Sequence, residues 1–331
     1  MNRMILRTIG AIILFYSTEQ VLARADNREA LRFTISLEKN TYLVDEPIYL
    51  EVLATNISNH EIAILGMLPN ASWRYFQIML KDQNDQPVAD HSGELYMYAE
   101  PNWPGWIMAS GERWLLVKDL LDVFGKWGDA AHQIRPFLPP GTYQVHVIYH
   151  TNPKAFVGPN RENEDKQTLH SNELQFEVIE PAGLEKAAHE KLLTAFIAHE
   201  KERSKPHRQA VLFKEFIDKY PNSLYLPIVY SFLYMIYTQG FGDTIERQEL
   251  IEEMLTRFPN SGLTYQLLSY DRHEAIQSLA KASSISKSAI MQKMKIASST
   301  SRASFYAQCL VDMQRIDLRT AERMKQKQEK R

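Results

Sequence analysis

The hydrophobic period of this chain changes at Glu180-Pro181-Ala182-Gly183, and that change constrains the fold more than any other feature. Before it, apolar residues alternate with polar ones, as in Leu31, Phe33, Ile35 and Leu37, in Ile48, Leu50, Val52 and Ala54, and in Leu174, Phe176 and Val178. Period two belongs to strands with one buried face. After it, Leu184, Ala188, Leu192, Ala195, Phe196 and His199 recur at helical spacing, followed by Leu212, Phe213, Phe216, Ile217 and Tyr220. Such a chain is β first and α second, and its 331 residues suffice for two domains.

Within the first half, Pro139-Pro140-Gly141 forces a turn that delivers Tyr143 to the start of a strand carrying Tyr143, Val145, Val147 and Tyr149 on one face. Further strands are expected at 61–65, 73–81 and 113–118, with long insertions at about 88–111 and 151–171. Leu37 to Tyr42, Glu46-Pro47-Ile48-Tyr49 running into Thr55-Asn56, Ser110-Gly111-Glu112 and Pro140-Gly141-Thr142-Tyr143 together resemble bacterial immunoglobulin-like modules. The resemblance implies an antiparallel β-sandwich over 26–180, with the Tyr143 phenol tying its corner to nearby backbone. These residues speak for fold and barely for function.

In the second half, Tyr220-Pro221-Asn222-Ser223 and Phe258-Pro259-Asn260-Ser261 each end one helical run and open another. Proline stops a helix, and Asn or Ser caps the next. The pair resembles the turns of tetratricopeptide-like helical hairpins, which implies a helical-repeat domain over 181–312 with Pro221, Asn222, Pro259 and Asn260 in structural roles. The copies are spaced wider than the usual period of about 34 residues, and two copies fall short of the three that a solenoid needs. Weaker helices are expected between Ser283 and Ser304, and residues 313–331 read as a basic, solvated, fraying tail. The expected fold class is thus an immunoglobulin-like antiparallel β-sandwich plus an α-helical, tetratricopeptide-like domain.

Arg3 and Arg7 precede a short apolar run from Ile9 to Tyr16, and Ala23-Arg24-Ala25 supplies a small-x-small cleavage site. Residues 1–25 therefore read as a signal peptide, with a mature start at Asp26 and a periplasmic or secreted destination. No later run reaches transmembrane length. Cys309 is the only cysteine, so no internal disulfide is expected, and its thiol reads as a small buried apolar group. A net charge of -2 argues against a nucleic-acid surface spread over the protein.

The chemistry-bearing motifs point nowhere specific. Four His-Glu pairs, beginning at His60, His189, His199 and His273, lack the second histidine of a zinc helix. His146 and His150 share a strand face about 13 Å apart, too far to chelate one ion. No catalytic, cofactor-binding or metal-binding residue is assigned, and no cofactor is expected. All five tryptophans fall between 73 and 127. Trp73 and Trp114 lie on expected strands and read as core, whereas Trp103 and Trp106 sit in a Pro- and Gly-flanked loop where aromatics can pack or bind a ligand. The Tyr225, Tyr230, Tyr234 and Tyr237 cluster reads as inter-helix packing. The expectation is a non-enzymatic exported binding or scaffold protein of the cell envelope, working through protein–protein contacts. The alternatives are a glycan-binding module using Trp103 and Trp106, or a hydrolase with a site at the domain junction. The helical half either presents an inner binding surface between the Tyr cluster and Arg272-His273-Glu274 or braces the β half.

Overall fold

The computed structural model describes residues 30–64, 76–90, 106–125, 137–150, 168–201, 206–238, 244–266, 268–269 and 302–329. The signal-peptide segment, Trp73, Trp103, Trp127, Arg272-His273-Glu274 and the stretch 283–301 of the expected weaker helices lie outside these residues. The strands are β1 (Leu31–Leu37), β2 (Thr41–Leu43), β3 (Tyr49–Asn56), β4 (Ile62–Ile64), β5 (Phe76–Asp82), β6 (Trp106–Met108), β7 (Arg113–Asp119), β8 (Gly141–His150), β9 (Thr168–His170) and β10 (Leu174–Ile179). The helices are α1 (Leu121–Phe124), α2 (Gly183–Lys201), α3 (Pro206–Lys219), α4 (Leu226–Ile236), α5 (Thr244–Arg257) and α6 (Arg302–Glu329).

The expected alternation produces the strands. Tyr143, Val145, Val147 and Tyr149 all point inward from β8 and are buried. β1, β3 and β7 form one antiparallel sheet, with Ile35 opposite Val52 and Val52 opposite Leu116. A second sheet runs β2-β10-β8-β5 with β9 on β8, and β4 pairs with β6 in a third. Phe33 of the first sheet meets Tyr149 of the second at 5.9 Å between ring centroids. The Asn172 side-chain amide both accepts from the Ile35 N–H (2.9 Å) and donates to the Ile35 carbonyl (3.1 Å), so a side chain finishes the β1 edge as a strand would.

The chain does not build an immunoglobulin-like antiparallel sandwich followed by a tetratricopeptide-like stack. β2 leaves β1 through a short turn and pairs in parallel with β10, so the larger sheet is mixed, and the other two hold three and two strands. Alternation dictates which face of a strand is buried, but it does not choose the neighbour. The helical half also departs from a stack. α2, α3 and α4 pack in series, but α6, of 28 residues, lies against β6 and β7 instead of a further hairpin.

The basic end of the chain is part of that helix. Tyr306, Leu310, Met313, Ile316, Asp317 and Thr320 form a buried stripe, with Gln314, Arg315 and Leu318 exposed between its members. The stripe follows helical spacing, and the Lys- and Arg-rich composition of 313–331 concealed it. One continuous hydrophobic core runs from Ala30 through Phe176, Leu192 and Tyr225 to Ile316, crossing the change of period without a break.

Candidate functional site at the junction of sheets and helices

The buried polar groups of this protein concentrate where the helices meet the sheets. At one end, Asp45 adopts a left-handed backbone (φ 66), which Asp tolerates better than most residues, and is fully buried. Its Oδ2 lies 2.7 Å from His189 Nε2 on α2. The His189 ring stacks on Tyr225 at 5.3 Å, and the Tyr225 hydroxyl donates to the Val44 carbonyl at 2.8 Å. An Asp–His pair is the start of many acid–base sites. Here the two residues belong to opposite halves and clamp α2 to the β2–β3 turn.

At the other end, Glu51 is buried in the middle of β3. Its carboxylate accepts from Arg302 Nε at 2.8 Å, from Ser36 Oγ at 2.5 Å and from the Tyr306 hydroxyl. Three donors compensate the burial of one charge, which otherwise costs several kcal/mol by general estimate, about the penalty per desolvated ion. Farther along α6, Arg319 makes a two-pronged pair with Glu112 at 2.6 and 2.8 Å, and Arg113 meets Asp312 at 3.0 Å. Burial pushes Glu112 up, but the hydrogen bonds from Arg319 and from the Ala109 N–H outweigh it and leave its pKa below the usual carboxylate range.

The two Pro-Asn-Ser turns use the same local chemistry and different partners. Ser223 and Ser261 each accept from the N–H two residues ahead, at 3.2 Å from Tyr225 and 3.3 Å from Leu263. The next N–H in the first copy, Leu224, is taken by Glu185 of α2 at 3.2 Å. Its counterpart in the second copy, Gly262, is taken by Glu38 of the β1–β2 turn. Carboxyl oxygens serve as acceptors at a helix N-terminus, where N–H groups lack intrahelical partners. Gly262 is required by space: a Cβ there would lie 2.6 Å from Tyr49 Cβ. Asn260 Oδ1 accepts from the Ala303 N–H at 3.1 Å and so caps α6, while Asn222 is exposed.

The sequence-based site residues fall as follows. Tyr143 is buried, and its hydroxyl donates to the Pro139 carbonyl at 2.7 Å. Trp106 lies on β6, only 6 % exposed, with its ring 5.1 Å from that of Trp114. It therefore packs into the core instead of offering an open stacking face. Pro221, Asn222, Pro259 and Asn260 occupy the two inter-helix turns. Tyr225, Tyr230, Tyr234 and Tyr237 are all buried, so they line no inner binding surface. Burial pushes the Cys309 thiol up to about 12, as for a buried apolar group. A cleft of about 710 Å³ lies beside the Tyr143 turn, walled by Pro87, Val88, Pro139 and Pro140 with Asp82 and Gln83 at its polar side. Among the described residues, no group of three His, Cys, Asp or Glu is arranged to hold a metal ion, and no helix is long and apolar enough to cross a membrane.

The residues that build the junction were not legible in the sequence. Glu51 sits at an outward position of an alternating strand and reads as solvated, and nothing local marks it as covered by α6. His189 registered only as half of a His-Glu pair. The one usable signal was the Pro-Asn-Ser repeat, whose second copy places Asn260 and Gly262 at the junction.

No family model matches this chain, and a comparison with curated proteins yields no match. Among solved structures, it is similar to a β-glucosidase from Listeria innocua in complex with glucose, at 20% identity over 45% of this chain and 16% of that one, with a TM-score of 0.23. A mutant of that β-glucosidase in complex with laminaribiose aligns at 18% identity over the same shares, with a TM-score of 0.22. Likeness at this level carries no argument about fold or activity.

Proposed function

We propose that this chain is a non-enzymatic binding or scaffold protein, exported to the bacterial envelope, that works through protein–protein contacts. The observation that carries this reading is the junction itself. Asp45 with His189, Glu51 with Arg302 and Tyr306, and Glu112 with Arg319 direct their polar atoms at one another. Groups tied in this way hold two halves in one orientation, which is what a scaffold needs. The brace role of the helices fits the same contacts. The exposed apolar surface of the helical half includes Leu184 and Leu224, which flank the Glu185 cap. The envelope assignment rests on reading residues 1–25, a charged start followed by a short apolar run, as an export signal.

The test uses the full chain immobilised and exposed in parallel to envelope extract and to a glycan array. This reading expects one polypeptide to be captured by the native protein and lost from a Leu184→Asp, Leu224→Asp double variant of unchanged melting temperature. Glycan binding without polypeptide capture would replace it with the glycan-binding reading.

A further inference from the structure

Three carboxylates and two cations meet where the β1–β2 turn faces the second Pro-Asn-Ser turn. Glu38 and Glu46 flank β2, and Glu51 comes from β3. Lys39 and Arg302 face them, with the hydroxyls of Tyr42 and Tyr306. The cations are assigned unevenly. Lys39 pairs with Glu46 at 2.5 Å, and Arg302 pairs with Glu51 at 2.8 Å. Glu38 receives the Gly262 N–H, the first amide of the helical run from 262 to 266. The fit around that bond is tight, because Gly262 lies against Tyr49 with no room for a Cβ. Glu38 is thus a half-buried carboxyl at the seam between two layers, near two other carboxylates whose cations are already engaged.

We propose that this contact is a pH-responsive latch, in which a neutral Glu38 lets the 262–266 run and the start of α6 close on β1 and β3, and an ionised Glu38 loosens them. The cause is desolvation. Burial raises the Glu38 carboxyl to about 7, against the smaller opposing effects of the Gly262 N–H and Arg302, and Glu51 and Glu46 push in the same direction as burial. Glu46 is also held above its usual value, first by burial, with Lys39 opposing. The sign follows from linkage. A folded pKa above the ordinary 4.5 means that the closed state holds the proton more tightly than the open one. The stabilisation is complete below 4.5 and is lost as pH rises through about 7.

The experiment measures hydrogen exchange at the 262–266 amides and the Ala303–Tyr306 amides of the full chain at pH 5.5 and 8.5, corrected for intrinsic exchange rates. The latch predicts that protection falls about 30-fold across this interval, from linkage between the two pKa values. The Glu38→Gln variant, always neutral and still able to accept the Gly262 N–H, should hold the low-pH protection at both values. A pH slope in Glu38→Gln equal to that of the native chain overturns the proposal. If that variant does not fold, carboxyl-carbon NMR of the native chain decides. A Glu38 resonance that titrates near 7 supports the latch, and one that titrates near 4.5 overturns it.

Discussion

Tyr265 and Leu115 stand 150 residues apart, and the hydroxyl of the first donates to the carbonyl of the second at 2.9 Å. Leu115 is on β7, the last strand of its sheet among the described residues. The β3–β7 ladder leaves its carbonyl facing outward, since the flanking bonds run from Asn56 to Glu112 and from Leu120 to Ile48. Other junction contacts follow the same pattern. The Ile107 N–H of β6 donates to Thr320 Oγ1, and its carbonyl accepts from Arg319, both on α6. Tyr225 does the same for Val44. Open strand edges invite pairing with other chains, and here helix side chains occupy them.

Tyr265→Phe and Tyr225→Phe should each cost about 1–3 kcal/mol, because each leaves a buried carbonyl without its donor. Urea denaturation checks the cost.

Tyr143→Phe removes the bond to Pro139 and should cost about 1–2 kcal/mol. The measurement is the shift in denaturation midpoint at constant slope. The contact exists without the immunoglobulin-like sandwich that the resemblance implied, so it stabilises a turn and defines no family.

The two Pro-Asn-Ser turns should respond unequally to alanine. Gly262→Ala places a methyl against Tyr49 and should cost about 1–3 kcal/mol, the range for overpacking. At the counterpart position, Leu224 is 45% exposed, and Leu224→Ala should stay within about 0.5 kcal/mol. Paired thermal melts separate the two.

Glu112 supplies an acid limb to the stability profile. Its folded pKa lies below the ordinary 4.5, so its stabilisation is present above 4.5 and is lost as pH falls through the lower folded value. Melting temperature measured from pH 6 down to 3 should fall less steeply for Glu112→Gln than for the native chain.

β1, β8 and β10 were legible because each buries one face, and alternation records that directly, whereas β3 and β7 bury residues on both faces. Their partners were not, since the parallel pairing of β2 with β10 joins residues more than a hundred positions apart. Trp106 read as a loop aromatic because β6 is only three residues long, too short for a period to register. α6 shows the opposite failure. Its buried stripe is helical in period, but the lysines and arginines of 313–331 dominate the local composition and resemble a tail. Glu51 was illegible in principle: a polar residue at an outward strand position looks the same whether water or a helix covers it.

The helices brace the sheets through one shared core. Differential scanning calorimetry of the full chain tests this directly. A shared core should give a single transition whose calorimetric and van't Hoff enthalpies agree. Two resolved transitions, with the Tyr265→Phe and Arg319→Ala variants leaving the sheet transition in place, would contradict it.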